Sequence, residues 1–191
     1  MKFQMEFQDN GYSYDIFMPT GAEITLKNKK ISRLPLLAMF TTIALTIFMI
    51  ESAIPPIVPI PGIKLGLSNI ITLVLIAGAC WQDAFIVLMM RILIGSIFAG
   101  QMMSFFYSLA GGLLCLLAMT LMHRLLGSKL LWFTSIIGAL CHNIGQIGVA
   151  ALVLGSGYVF YYFPFLLVSG VITGLFTGLC AQFLLPRLPK F

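Results

Sequence analysis

Six side chains with chemistry to offer stand in or beside apolar runs: Lys64, Asn69, Arg91, His142, Asn143 and Gln146. Arg91 lies between "VLMM" and "ILIG". An ionised group at the centre of a bilayer costs about 2.5–3.5 kcal/mol on insertion scales, so such groups face a cavity or a partner. Arg91 is therefore either a cation aimed at an anionic ligand or half of an intramembrane ion pair, with Glu51 as its partner. Asp83 is two turns away, about 12 Å along a helix axis, too far for direct contact. In "ALCHNIGQIGVA", His142 and Gln146 are one helical turn apart and Asn143 lies about 100° around from His142. Ser135, Gly138, Gly145 and Gly148 fall on or near the same arc. Polar and small residues so placed serve either as inter-helix glue or as the wall of a binding site.

The stretch "PPIVPIPGIKLGLSNI", Pro55 to Ile70, breaks the chain between two apolar runs. Proline removes backbone donors and glycine weakens helices. Freed backbone groups are tolerated in lipid only where protein buries them or a cavity hydrates them. Lys64 and Asn69 then fall at the start of a short helix, where the dipole and free N–H groups favour an anion. The stretch reads as one wall of an outward-facing anion site, or as a rigid outer turn with a snorkelling lysine.

These residues require a membrane-embedded scaffold. Of 191 residues, 60% are hydrophobic and 9% charged, against about 25% charged in soluble domains. A spanning helix takes about 20 mostly apolar residues. Six segments qualify: Leu34–Ala53, Ile63–Cys80, Ala84–Ala99, Met103–Met122, Leu130–Leu154 and Phe163–Leu185. The fold expected is an all-α integral membrane protein of six transmembrane helices, interrupted between the first two. Residues 1–33 form a polar cytoplasmic tail, with a hairpin around Asp9-Asn10-Gly11, and residues 34–191 the six-span domain. The tail carries Glu6, Asp9, Asp15 and Glu23 and no apolar run, unlike a secretory signal.

The net charge is +5, but most basic residues flank apolar runs, which points to membrane topology and not to nucleic acid. Lys27, Lys29, Lys30 and Arg33 precede the first span, Arg124 and Lys129 lie between the fourth and fifth, and Arg187 and Lys190 follow the sixth. Both termini are then cytoplasmic. Cys80, Cys115, Cys141 and Cys180 lie in apolar segments without disulfide or zinc spacing, and neither a metal site nor a cofactor is expected. Gly170, Gly174 and Gly178 form a small-residue seam, within the bundle or toward another subunit. "GSGYVFYYF", Gly155 to Phe163, is either an interfacial aromatic belt or a lid. Asn69-Ile70 and Asn143-Ile144 form a weak internal echo of the kind inverted halves produce.

The ordered set "ESAIPP", "PGIKLGLSNIITL", "RILIG", "SLAGG" and "GALCHNIGQ" resembles the family named both heptaprenyl diphosphate synthase component I and Gx transporter. The likeness runs from about Leu34 to Leu185. The transporter name implies a likeness to substrate-binding subunits of energy-coupling-factor transporters. Those are six-span proteins of the bacterial cytoplasmic membrane, energised by ATP-hydrolysing and coupling subunits. Their Ala-x-x-x-Ala docking surface is matched here only by Ala38 and Thr42. The synthase name implies prenyl transfer, which resembling enzymes perform with paired aspartate-rich motifs that hold magnesium and diphosphate. This chain has six acidic residues, without an Asp-Asp pair, and has no G-x-x-x-x-G-K-[ST] loop. The expectation is a non-enzymatic subunit that binds and transports an anionic vitamin, quinone precursor or isoprenoid-type ligand. Lys64 and Arg91 would supply charge, and Asn69, His142, Asn143 and Gln146 hydrogen bonds. The alternatives are a non-catalytic membrane partner of a polyprenyl diphosphate synthase or quinone pathway, and a structural subunit of a larger complex.

Overall fold

The computed structural model describes residues 4–9, 12–17, 33–53, 64–100, 102–155 and 157–188. The chain divides into two compact units, Met1–Leu37 and Ala38–Phe191. The first contains an antiparallel pair, β1 (Gln4–Asp9) and β2 (Tyr12–Phe17), in register from Gln4 opposite Phe17 to Asp9 opposite Tyr12. The pairing is that of the expected hairpin, whose turn residues Asn10 and Gly11 lie outside the described residues.

The described part of the second unit is helical. α1 (Arg33–Ala53) begins in the first unit and runs into it. α2 (Asn69–Gly78), α3 (Trp81–Ala99), α4 (Met102–Leu126), α5 (Leu131–Leu154) and α6 (Phe163–Leu184) follow. Short 3-10 turns at Gly127–Leu130 and Gly157–Tyr162 join α4 to α5 and α5 to α6. Four continuous helical stretches are long and apolar enough to cross a membrane, and one of them, Met102–Leu154, is α4 and α5 joined by their turn. The architecture fits a membrane protein with five long apolar helices. The expected second span, Ile63–Cys80, has as its helical part the ten residues of α2. At 1.5 Å per residue these rise about 15 Å, half of a hydrocarbon core of about 30 Å.

The short helix is the centre of the bundle. α2 touches α3, α4, α5 and α6. Ile71, Leu73, Val74, Leu75 and Ile76 are all buried, so its sequence is apolar on every side, as a helix surrounded by protein must be. The long helices instead keep large side chains on the outside, among them Ile97, Leu117, Leu152 and Phe183. Such outward apolar surfaces fit a membrane protein.

Glycines set the closest approaches. A Cβ on Gly174 would lie 2.7 Å from Ile136 Cα, one on Gly178 2.5 Å from Trp132 Cα, and one on Gly170 2.7 Å from Asn143 Nδ2. The seam expected on the last helix is thus spent inside the bundle, between α5 and α6. Ser135 and Thr177 share a 2.8 Å hydrogen bond across it. Gly145 makes the same allowance toward α4, where its Cβ would meet Gly111 Cα at 2.8 Å. α1 is attached by side chains. Its buried residues Phe40, Ala44, Phe48 and Glu51 form one stripe, and the Phe48 ring fills the space above Gly95 of α3. Ala38 and Thr42 lie on its exposed side, where the Thr42 hydroxyl donates to the Ala38 carbonyl.

The seam sets a stability test. Gly174→Val forces a side chain into backbone and is expected to cost about 1–3 kcal/mol, as overpacking does. Gly148→Val, where nothing lies within 4 Å of the added Cβ, is expected to stay within about 0.5 kcal/mol. Thermal unfolding of the two variants in one detergent checks the difference.

Candidate functional site

Residues 54–63, with most of the proline-rich stretch, lie outside the described residues. The chain is described again from Lys64. Residues 64–66 have no regular structure, 67 and 68 form a turn, and α2 starts at Asn69. The first amides of the helix donate within this turn, Asn69 N–H to the Gly66 carbonyl at 3.0 Å and Ile70 N–H to that of Leu67 at 3.2 Å. The amides before them need outside partners.

Glu51 supplies one. Its Oε1 accepts a hydrogen bond from Gly66 N–H. An acid from α1 thus caps the positive end of α2, where the helix dipole favours it. Gly66 has φ +79°, a left-handed conformation that glycine adopts without a Cβ penalty. A Cβ there would also lie 2.8 Å from Asn69 Nδ2 and 2.9 Å from His142 Cδ2.

Two cations share the surroundings of this acid. Arg91 and Lys64 line the same small cavity as Glu51. Arg91 is buried at mid-α3 and reaches Asn69 Oδ1 at 3.5 Å. Lys64 donates to Ser52 Oγ at 2.6 Å, with its ammonium 3.4 Å from the centre of the Phe48 ring, a cation–π geometry. Of the two partners weighed for Arg91, Glu51 is the one that lines the same cavity. Asp83 lies at the start of α3, where it accepts from Cys80 Sγ at 3.2 Å.

α5 holds the opposite wall. The Gln146 amide, oriented as its neighbours require, donates to the Lys64 carbonyl at 3.0 Å and accepts from Lys64 N–H at 3.3 Å. It also accepts from His142 Nε2 at 3.1 Å. One side chain therefore pins the irregular segment as a neighbouring strand would, and fixes the proton of His142 on Nε2. Asn143 turns the other way and donates to the Leu166 carbonyl of α6 at 2.6 Å. The arc of three polar residues is split, two facing the centre and one serving α6.

Phe48, Glu51, Lys64, Gly66, Ser68, Arg91, Ser108, His142 and Gln146 line a partly open cavity of about 10 Å³, room for a single water molecule. Glu51 Oε2, Ser68 Oγ and Asn69 Nδ2 are buried without a hydrogen-bond partner. Unpaired polar atoms around so small a space mark a polar seat drawn closed. The aromatic turn Gly157–Tyr162 is not part of its lining. Val159 packs with Tyr107, Ile147, Ala150 and Leu166, while Tyr158 and Tyr161 stack on the exposed side.

Lys64, Arg91, His142 and Gln146 thus meet in one place, Asn69 borders it, and Asn143 leaves it. Sequence reasoning placed Glu51 only as an ion-pair partner and passed over Phe48, Gly66, Ser68 and Ser108. The spacing Phe40, Ala44, Phe48, Glu51 was the available signal, since positions 4, 8 and 11 residues on share one helix face. Among the described residues no three His, Cys, Asp or Glu side chains group as metal ligands.

The family model for heptaprenyl diphosphate synthase component I matches residues 40–184. The chain belongs to this family. The matched region runs from the buried stripe of α1 to the end of α6 and contains the whole polar cluster. No curated protein and no solved structure matches the chain.

A charge coupling between Glu51 and Arg91 can be tested directly. If the two compensate each other, removing one leaves a buried charge, so Glu51→Gln and Arg91→Gln are each expected to cost about 3 kcal/mol. The double variant should lose less than the two losses added, by at least about 1 kcal/mol. Thermal unfolding of the four proteins measures the coupling, and strict additivity would dissolve the pair.

Proposed function

We propose that this protein is a membrane-embedded subunit that binds a small anionic molecule in the polar seat between α1, α2, α3, α4 and α5. The observation that carries the reading is two cations beside the start of a half-length helix in the bundle interior. A helix that starts at depth presents free N–H groups and the positive end of its dipole, the arrangement discontinuous helices use for anionic groups. Arg91 and Lys64 supply charge, Asn69, His142 and Gln146 hydrogen bonds, and the α5–α6 seam a rigid frame. Asn143 belongs to that frame. In this reading the ligand is a vitamin-like or quinone-precursor anion or an isoprenoid-type acid. Partner subunits that hydrolyse ATP supply the energy for its movement, as the likeness to energy-coupling-factor substrate-binding subunits implies.

A second reading follows from the family description, in which the word "component" implies a further synthase subunit. Here the chain is the non-catalytic membrane partner of a polyprenyl diphosphate synthase and holds an isoprenoid for it. Catalysis by this chain alone is disfavoured, since Glu51 and Asp83 are the only acidic residues after Glu23 and Glu51 is committed to α2. Magnesium–diphosphate chemistry needs several carboxylates at one place. Native mass spectrometry of gently purified protein separates the two. A retained small polar anion supports transport, and a retained isoprenoid or synthase supports the second reading. Against the identified ligand, Lys64→Gln should weaken binding about tenfold or more, the loss of one charge-assisted hydrogen bond. Arg91→Lys should weaken it less than Arg91→Gln, because lysine keeps charge without the planar fork. Calorimetry on folded protein measures both, and unchanged affinity in all three variants removes the anion site.

The topology proposed keeps six crossings in the bacterial cytoplasmic membrane, the second made by α2 with the residues before it, and both termini cytoplasmic. Cysteine reporters in a chain cleared of native cysteines test it. Lys30→Cys and Ser128→Cys should be labelled by an impermeant reagent from the same side, and Gly157→Cys from the other. Opposite sides for the first two would mean that α2 does not complete a crossing.

A further inference from the structure

The anion seat is already occupied by the protein itself. Glu51 lies at the start of α2, held by Gly66 N–H, in the cavity that Arg91 and Lys64 also line. Its second oxygen, Oε2, is buried without a partner, as is Ser68 Oγ beside it. A carboxylate placed there for stability alone would be expected to satisfy both oxygens, since each unpaired buried acceptor carries a desolvation cost. The remaining space is about 10 Å³, so no second anion larger than water fits while Glu51 stays. The carrier of this acid, α1, is fastened at this end by contacts that belong to the same seat: Glu51 to Gly66, Ser52 to Lys64, and Phe48 beneath the Lys64 ammonium.

We infer that Glu51 is an internal stand-in for the ligand, and that the seat is a carboxylate subsite which a ligand enters by exchanging its own carboxylate for that of Glu51. The inference rests on the anion-binding reading above and names its chemical class. A carboxylate is favoured over a diphosphate because the group now seated is a carboxylate, and exchange of like for like leaves the buried charge unchanged. A diphosphate brings several charges into a space where Arg91 and Lys64 are the cations among the described lining residues, with Ser108, His142 and Gln146 completing it. The exchange also withdraws Glu51 from Gly66, which removes one of the contacts that hold the end of α1.

The test is vacancy and refilling, with formate as the probe on the purified full chain. Glu51→Ala empties the seat. Formate should raise its melting temperature saturably and bind at least tenfold more tightly than to wild type, where Glu51 competes. Chloride at equal ionic strength should not do so, and Glu51→Ala combined with Arg91→Gln should lose the effect. Should Glu51→Ala fail to fold with or without formate, Glu51→Gln decides. Its neutral amide is a weaker competitor than the carboxylate, so saturable stabilisation by formate absent from wild type supports the exchange. Formate no better than chloride in the folded variant overturns it, as does equal binding of formate to wild type. Stabilisation by inorganic phosphate or pyrophosphate but not by formate overturns the carboxylate class while leaving an anion site. Failure of the formate test with a small anion still retained in native mass spectrometry would end this inference alone.

Discussion

A helix that begins inside a membrane protein must have its first amides answered, and in this chain a glutamate answers one of them. Water is scarce at that depth, so the N–H groups ahead of α2 cannot be left to solvent. Glu51 meets that need through Gly66 and in doing so becomes a buried charge that needs its own compensation. Arg91 and Lys64 are the cations that line the same cavity. The left-handed turn at Gly66, the Gln146 clamp on the Lys64 backbone and the stripe on α1 all serve to bring this acid to this helix start.

The bundle divides the labour between two kinds of contact. α4, α5 and α6 meet through glycines, with backbones so near that a Cβ has no room at Gly145, Gly174 or Gly178. Without a hydrophobic drive between helices in lipid, such close packing and a few hydrogen bonds supply the association. Ser135 with Thr177 and Asn143 with the Leu166 carbonyl are those bonds. α1 instead reaches the bundle through Phe40, Phe48 and Glu51. Its C-terminal end is tied to the residues of the polar seat through Phe48, Glu51 and Ser52.

Much of the seat was legible because charge and amide groups stand out in a chain of this composition. Arg91, Lys64, His142 and Gln146 were found that way. Glu51 was harder, since it sits near the end of an apolar run where an acid is unremarkable, and only its spacing from Phe40, Ala44 and Phe48 shows the inward face. Asn143 shows the limit of periodicity. It lies about 100° from His142, and that angle admits either the seat or the neighbouring helix. α6 took it, because the carbonyl of Leu166 lies within reach.

The sequence by itself determined the membrane class, five long apolar helices close to their observed bounds, the glycine seam and the family. Each is a matter of composition, run length or local spacing, which survive without knowledge of neighbours. Only the tertiary structure decided that α2 is a short helix at the centre of the bundle, that Glu51 caps the turn before it, and that Gln146 holds the Lys64 backbone. Those facts join residues 15 to 82 positions apart. Such pairings depend on which helix lies against which, and no local pattern in the chain encodes that choice.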